Sequence, residues 1–329
     1  MVVHLSHPQE PRSAGGSLAL SPGGALSRDV LFVTGGRERS SVGLRRAAVL
    51  AQMFGGELFV ACAIPRNFRH NMLFPHRNAA DSFAVPGALT GAQGRIRDFC
   101  DGVLGESLPE DHLIFEEGDV ATVAARVAEQ LGAHIVVMGS AANGKIASEV
   151  ACQARVPVFV ARAPRAGTIV AATDLSDPRF PVLRRAGDLA GRSDRRTTIV
   201  HNVPPATGFD LYAMGVTPRF WPAEHEDADI LSQYRRRLSA LAGTLGIPAE
   251  PVVMTSASTS AAILEVGQET DADLLVVGAH PRSWLGRLLS PSVAETVVDR
   301  AARSVLVLPL SGEEHLSAAT EPVPTAWAA

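Results

Sequence analysis

The feature that most constrains this chain is an internal repeat. Three segments recur 139 positions later in one register: 30–34 as 169–173, 44–47 as 183–186, and 134–139 as 273–278. The middle segment is identical in both places, Leu-Arg-Arg-Ala, and the outer two keep their apolar character. Because self-similarity at a fixed spacing identifies duplicated units, the chain is predicted to fold as two copies of one domain.

The register of the repeat shifts once, after Gly139. Beyond this point Ala154 and Arg155 recur as Ala302 and Arg303, which lie 148 rather than 139 positions later. The second copy therefore holds nine additional residues in the connection that follows its fourth apolar run. We expect the two copies to differ in function at this connection.

Each copy alternates short continuous apolar runs with helical patterns, which is typical of strands buried on both faces and joined by crossover helices. The first copy is predicted to have strands near 29–34, 57–63, 112–116, 134–138 and 156–162, and helices near 41–54, 88–103, 119–131 and 145–153. The second is predicted to have strands near 167–173, 197–203, 250–255, 273–277 and 304–309, and helices near 178–191, 225–245, 258–270 and 291–301. The fold class is therefore α/β, with two tandem parallel sheets.

These patterns divide the chain into four parts. They are a flexible N-terminal leader at 1–27, a first domain at 28–164, a second domain at 165–310, and a disordered tail at 311–329. Two stretches, 66–87 and 203–222, show little periodicity and are predicted to be excursions between the second strand and the second helix of their copy. The sequence assigns no role to the leader or to 66–87.

Composition narrows the classes of partner and the compartment. Lys and Arg number 30 against 34 Asp and Glu, a net charge of −4, so the chain lacks the basic field that holds nucleic acid or anionic lipid. No run approaches the roughly 20 apolar residues of a membrane span. The three cysteines, Cys62, Cys100 and Cys152, do not suggest a disulfide framework. We therefore expect a cytoplasmic protein without nucleic-acid or membrane partners.

The ends of the strands in the second copy resemble those of the universal stress protein family. The resemblance is carried by 171–176 at the end of the first strand, 274–280 in the fourth strand, Arg282 and Ser283 in the following loop, 292–295 at the start of the last helix, and 302–308 in the closing strand. It covers both copies, about residues 28 to 310. The chain is thus similar to a tandem member of that family.

The resemblance implies an adenine nucleotide alpha-hydrolase-like architecture. Each half would have a five-stranded parallel sheet in the order 3-2-1-4-5, with helices on both faces. The halves would pack as an internal pseudo-dimer through their last strands, 156–162 and 304–309. It also implies self-association of two such chains as a homodimer and an unidentified protein partner.

In an open parallel sheet, ligands bind beyond the carboxyl ends of the strands where the connections diverge. The resemblance implies that this crevice in the second copy takes ATP or a related adenine nucleotide, with or without Mg²⁺. The candidate nucleotide-binding residues are Ala172, Thr173, Asp174, Asn202, Gly278, His280, Arg282, Ser292 and Val293. No catalytic residue and no metal ligand is predicted.

The loop after the fourth strand departs from the ATP-binding members of the family. Those members carry three spaced glycines followed by Ser or Thr, whereas here Gly278 fills only the first position and Pro281 and Pro291 replace the others. Proline has no backbone N–H, which weakens a phosphate cradle. Ser292 keeps the hydroxyl at a predicted helix N-terminus, where anions are favoured.

The first copy is expected to have lost its site, because Gly35 stands where Asp174 stands in the second. Its segment 139–145 has the form G-x-x-x-x-G-K of a phosphate-binding loop, but Ile146 follows where that motif has a hydroxyl. We interpret this segment as a shortened connection. A hydrolase triad of His280, Ser292 and Asp174 is not favoured, because no G-x-S-x-G elbow is present.

These observations favour a binding module of stress adaptation over an enzyme. The first hypothesis is a regulatory protein whose second copy binds an adenine nucleotide. The alternative is a nucleotide-free interaction protein whose pocket is disabled by Pro281 and Pro291. A third is a weak ATP hydrolase, although no residue that would position the attacking water is identified. The inducing stress and the oligomeric state are not indicated.

Overall fold

The computed structural model describes residues 27–35, 40–64, 88–205, 225–280 and 292–310. The predicted leader up to residue 26, the segment 66–87 and the tail at 311–329 lie outside these ranges. So do Pro281, Arg282 and Pro291 of the loop after the fourth strand of the second copy.

Strands and α-helices alternate along the described residues. The first half contains β1 (Val30–Thr34), α1 (Ser41–Phe54), β2 (Leu58–Ile64), α2 (Ala88–Leu104), β3 (Leu113–Glu117), α3 (Val120–Leu131), β4 (Ile135–Met138), α4 (Gly144–Ala154) and β5 (Val158–Val160). The second half contains β6 (Ile169–Ala172), α5 (Pro181–Ser193), β7 (Thr197–Val203), α6 (His225–Leu245), β8 (Ala249–Thr255), α7 (Thr259–Glu269), β9 (Leu274–Ala279), α8 (Val293–Arg300) and β10 (Ser304–Pro309). A single 3₁₀ turn, Glu110–His112, precedes β3.

The strands form one ten-stranded sheet in the order β3-β2-β1-β4-β5-β10-β9-β6-β7-β8. Within each half all neighbouring strands are parallel, and each half has the predicted order 3-2-1-4-5. The halves join where β5 and β10 pair antiparallel, with Phe159 opposite Leu306. The predicted fold class and the predicted seam are therefore confirmed.

Two apolar layers cover the two faces of the sheet. Successive strand residues point to opposite faces, so Phe32 packs in the layer that contains Leu183 and Leu238, whereas Leu31 packs in the layer that contains Val297. Helices α1, α2, α5 and α6 contribute to the first layer, and α3, α4, α7 and α8 to the second. Each layer includes residues of both halves, so the halves share both apolar layers.

A buried carboxylate joins the halves before β9. Asp273 accepts a hydrogen bond of 2.7 Å at Oδ1 from Arg46 of α1, and it lies 3.2 Å from a guanidinium nitrogen of Arg195. The backbone N–H of Arg165 donates to the same carboxylate at 2.6 Å. Asp273 is only 6% exposed, so these three donors replace the water that its charge requires.

The equivalent position in the first half is His134, and its partner Arg185 of α5 is the equivalent of Arg46. Arg185 Nη2 lies 2.9 Å from His134 Nε2. A guanidinium only donates, so Nε2 accepts and carries no proton. Burial first, and then the positive charge of Arg185, lower the pKa of His134 to about 4. The contact between Asp273 and Arg46 is thus an ion pair. In the equivalent contact, the Arg185 guanidinium donates a hydrogen bond to the neutral imidazole of His134.

No helix in the described part of the chain has the length and apolar character needed to cross a membrane.

Candidate functional site

The chain leaves β6 and β9 toward opposite faces of the sheet. These two strands are parallel neighbours, with Val170 beside Leu275. After β6 the chain enters α5, which packs through Leu183 in one apolar layer, and after β9 it leads to α8, which packs through Val297 in the other. Diverging connections leave a crevice beyond the carboxyl ends of the two strands. The candidate site of the second half lies at this crevice.

A tight turn after β6 fixes the direction of the Asp174 carboxylate. Asp174 Oδ1 accepts from the backbone N–H of Ser176 at 2.9 Å and from its hydroxyl at 2.7 Å. Thr173 Oγ1 accepts from the N–H of Leu175 at 3.0 Å. Leu175 has a positive φ of 61°, which is unfavourable for a side chain of this size. The turn is therefore held by side-chain hydrogen bonds against a local strain.

The Asp174 carboxylate stays ionised at neutral pH. Partial burial raises its pKa, but the hydrogen bonds from Ser176 and the nearby charge of His280 outweigh that effect, and the pKa lies below its usual value. Asp174 and His280 are both exposed. The crevice thus presents a fixed anionic acceptor beside an imidazole that can donate.

The end of β7 ties three chain segments together beside this turn. His201 Nδ1 lies 2.8 Å from the carbonyl oxygen of Thr173, and the ring packs on Tyr234 of α6 with centroids 4.8 Å apart. Asn202 Nδ2 donates to the carbonyl of Ser256 at 2.9 Å and to Thr259 Oγ1 at 3.1 Å. His201 was not among the predicted site residues, although its position next to Asn202 on the same strand was an available signal.

Across the crevice, Ser292 caps α8. Its Oγ accepts from the N–H of Glu295 at 3.2 Å, and its own N–H donates to the Glu295 carboxylate at 3.3 Å, which is a capping box. The hydroxyl proton of Ser292 is not used in this pair. The next residue, Val293, is 41% exposed. The start of α8 therefore offers a hydroxyl donor and an apolar surface, together with a carboxylate at the positive end of the helix.

Gly278 has a packing role as well as its place in the candidate site. It pairs with Leu308 in the ladder between β9 and β10. A Cβ at this position would lie 2.2 Å from Cδ1 of Leu310. The glycine expected for a ligand loop thus also leaves space for the Leu310 side chain of the closing segment.

The structure brings most of the candidate residues to one edge. Ala172, Thr173, Asp174 and Asn202 lie at the ends of β6 and β7, Gly278 and His280 at the end of β9, and Ser292 and Val293 at the start of α8. Arg282 lies outside the described residues. Their role in binding stays a prediction.

In the described part of the first half, the equivalent positions at the ends of β1 and β2 carry no charged or amide side chain. Gly35, Cys62, Ala63 and Val120 occupy the positions that Asp174, His201, Asn202 and Thr259 occupy in the second half. A Cβ added to Gly35 would lie 3.3 Å from Val120 Cγ2, so there is little room above it. Burial raises the pKa of the Cys62 thiol to about 11, which makes it unreactive at neutral pH.

The segment 139–145 of the first half is a capped helix start rather than a phosphate loop. The Asn143 side chain accepts from the N–H of Ile146 at 2.9 Å, and the N–H of Gly144 donates to Asp299 Oδ1 of the second half at 2.7 Å. A Cβ on Gly144 would lie 2.1 Å from the carbonyl oxygen of Glu295. The N–H of Gly144 is thus used for contact between the halves and that of Ile146 for the helix cap, in line with our interpretation of this segment as a shortened connection.

Metal ligation has no evident location in the part of the chain that the structure describes. Among those residues, no three His, Cys, Asp or Glu side chains are grouped as they would be around a metal ion.

The fold defines a duplicated parallel α/β protein, with polar residues at the crevice of its second half. The model of the universal stress protein family matches the chain twice, at residues 27–162 and 166–309, and the chain belongs to this family. The universal stress protein A homolog 1 of Coxiella burnetii is 27% identical over 143 residues, which are 43% of this chain and 94% of that protein.

Solved structures of similar proteins extend over both halves. A universal stress protein from Archaeoglobus fulgidus has a TM-score of 0.57 and 15% identity, and the alignment covers 86% of this chain and 98% of that one. A universal stress protein in complex with cAMP is 27% identical, with a TM-score of 0.32. That alignment covers 44% of this chain and 98% of the other protein. The first of these likenesses supports the tandem fold.

Proposed function

We propose that this protein acts in stress adaptation as a binding module whose second half takes an adenine nucleotide or nucleoside. The observation that carries the proposal is the polar edge at the ends of β6 and β7, where the equivalent described positions of the first half hold glycine, cysteine and alanine. Asp174 supplies a fixed, ionised acceptor there, and His201 and Asn202 hold the neighbouring segments in place. Occupancy of this edge would alter the contacts that the protein makes with a protein partner.

The opposite side of the crevice suits the ribose and phosphate end of such a ligand. His280 and the hydroxyl of Ser292 are donors, and the start of α8 carries the positive end of the helix dipole. The Glu295 carboxylate opposes that charge. We therefore expect the nucleoside part to contribute most of the affinity, with or without Mg²⁺ on the phosphates.

A second candidate function is a nucleotide-free interaction protein. Pro281 and Pro291 lack the N–H groups that a phosphate cradle uses, and Glu295 places a carboxylate at the start of α8. In this case the polar edge would be a docking point for the partner itself. ATP hydrolysis is not proposed, because we identify no residue that would position the attacking water.

We further propose a cytoplasmic location and association of two tandem chains. Cys62, Cys100 and Cys152 are free thiols, as expected in a reducing compartment. Size-exclusion chromatography with light scattering tests the association directly, since a chain mass of 34.6 kDa and its double are easily separated.

Titration calorimetry of nucleotide-stripped protein with ATP, ADP, AMP, cAMP and adenosine, each with and without Mg²⁺, tests the proposed function. We expect one ligand per chain, and Asp174→Ala should weaken binding at least tenfold because it removes a charge-assisted hydrogen bond. Asp119→Ala is the matched control, since Asp119 accepts from Thr122 in the first half much as Asp174 accepts from Ser176. No binding of any titrant would favour the interaction protein instead.

A further inference from the structure

Helix α8, which borders the candidate crevice, has only eight residues. So short a helix is unstable in isolation, and it leaves the N–H groups of its first turn and the C=O groups of its last turn without partners inside the helix. Ser292 and Glu295 satisfy groups at its start. Contacts from outside the helix must therefore fix its other end and its position on the sheet.

Arg162 follows β5 of the first half and reaches the end of α8. Its Nη2 donates to the carbonyl oxygen of Val298 at 3.1 Å, and its Nε donates to that of Ala301 at 3.4 Å. The backbone N–H of Arg162 donates to Oγ of the buried Ser304 at 3.1 Å, which anchors the base of the side chain. Arg162 thus supplies two donors and a positive charge at the negative end of the helix dipole.

A second contact from the first half lies along the side of α8. The N–H of Gly144 donates to Asp299 Oδ1 at 2.7 Å. The start of α4 lies so close that a Cβ on Gly144 would be 2.1 Å from the carbonyl oxygen of Glu295. Together with Arg162, this contact attaches the middle and the end of α8 to the first half.

The two halves differ in this respect. In the second half, β10 ends at Pro309 and is followed by Leu310, and neither side chain carries a hydrogen-bond donor. The second half thus offers no counterpart of Arg162 at the end of its last strand. The arginine contact runs from the first half to the helix that borders the polar crevice of the second.

We propose that Arg162 is a positioning residue of the second-half site. By fixing α8, it holds the Ser292 hydroxyl and the positive end of the helix toward the phosphates of a bound adenine nucleotide. The proposal rests on the proposed function, and it assigns to the first half the control of how strongly phosphates contribute to binding. The nucleoside contacts at the ends of β6 and β7 lie across the crevice and do not depend on Arg162.

Titration calorimetry with ADP and adenosine tests the proposal through the ratio of their affinities. Arg162→Met keeps the apolar stem of the side chain and removes its donors. It should weaken ADP binding roughly threefold or more, the range of a charge interaction at a helix terminus, and change adenosine binding by less than about twofold. Arg300→Met is the matched control, because it removes the same charge from the same end of α8, where Arg300 is exposed. It should leave the ratio unchanged.

The outcomes separate this inference from the proposed function. Absence of binding by every adenine compound would overturn both. Binding by the wild type, with a ratio that Arg162→Met leaves unchanged, would overturn the role of Arg162 alone, even if that variant were less stable. Equal losses in the two methionine variants would assign the effect to charge rather than to position, and would also overturn it.

A second variant decides if Arg162→Met fails to fold. Arg162→Lys keeps the charge, but a single ammonium does not reproduce the planar fork that reaches two carbonyls. It should weaken ADP binding by a smaller factor than the methionine variant and again spare adenosine. An unchanged ratio in Arg162→Lys would then overturn the proposal.

Discussion

The two halves of this protein share a fold but differ at both ends of their strands. At the carboxyl ends the second half carries Asp174, His201 and Asn202, whereas the first carries glycine, cysteine and alanine. At the amino ends, the second half has a buried ion pair between Asp273 and Arg46. The first half has, at the equivalent positions, a hydrogen bond between Arg185 and neutral His134. The strands between these ends are apolar in both halves. The core therefore fixes the architecture, and the strand ends are where the two copies have acquired separate properties.

The largest effect is expected at the amino-terminal contact of the second half. Asp273→Ala removes the shared partner of Arg46 and Arg195 and should lower the free energy of unfolding by about 3 kcal/mol, because it leaves partly buried charges unpaired. His134→Ala, at the equivalent position, should lower it by only about 1 kcal/mol, since it removes a single hydrogen bond to a cation. Urea denaturation of both variants measures the difference. Equal losses would show that the two contacts are equivalent.

A smaller loss is expected where the shortened connection of the first half contacts α8. Gly144→Ala would place a Cβ against the backbone carbonyl of Glu295 and should cost about 2 kcal/mol through the forced shift of α4. Gly243→Ala in α6 is the control, because nothing lies within 4 Å of its added Cβ. That variant should gain up to about 1 kcal/mol from helix propensity. A neutral Gly144→Ala in thermal unfolding would contradict the close contact between the halves.

The smallest effect is the pH dependence that His134 contributes to stability. The pKa of His134 is lowered from 6.5 to about 4, so the unfolded chain binds more protons between these values and the stability falls as pH decreases from 6.5 to 4. Arg185, Arg192 and Arg28 oppose protonation, and Asp188 favours it.

His134→Gln cannot titrate and should therefore lose less stability than the wild type over this pH range. The difference is expected to be on the order of 1 kcal/mol, because His134 is partly exposed and solvent screens its neighbours. Unfolding free energies measured by urea at pH 7.0 and 4.5 provide the comparison. Parallel losses in the two proteins would rule out His134 as a source of the acid sensitivity.

The sheet order was predictable because the information for it is local and repeated. Apolar runs at one spacing indicate parallel strands, and short polar caps such as Ser40, Asp119 and Asn143 fix helix starts to within about a residue. Where a turn intervenes, the prediction was less accurate. The helix predicted at 178–191 begins at Pro181, because Phe180 with a φ of 48° closes a turn on Asp177 first.

The site was only partly predictable. Asp174 and Ser292 stand in recognisable patterns, so sequence comparison finds them. The bond from His201 to the Thr173 carbonyl and the bonds of the Asn202 amide depend on distances between residues far apart in the chain. No local pattern encodes such distances. The packing role of Gly278 against Leu310 was hidden for the same reason.

The antiparallel pairing of β5 with β10 occurs within a single polypeptide. An interface between separate chains forms only above a certain protein concentration, whereas this one persists at any dilution. In a symmetric homodimer, moreover, every substitution appears twice and alters both sites. Here a change enters one half alone, so the two halves can carry different residues at their strand ends while sharing one sheet.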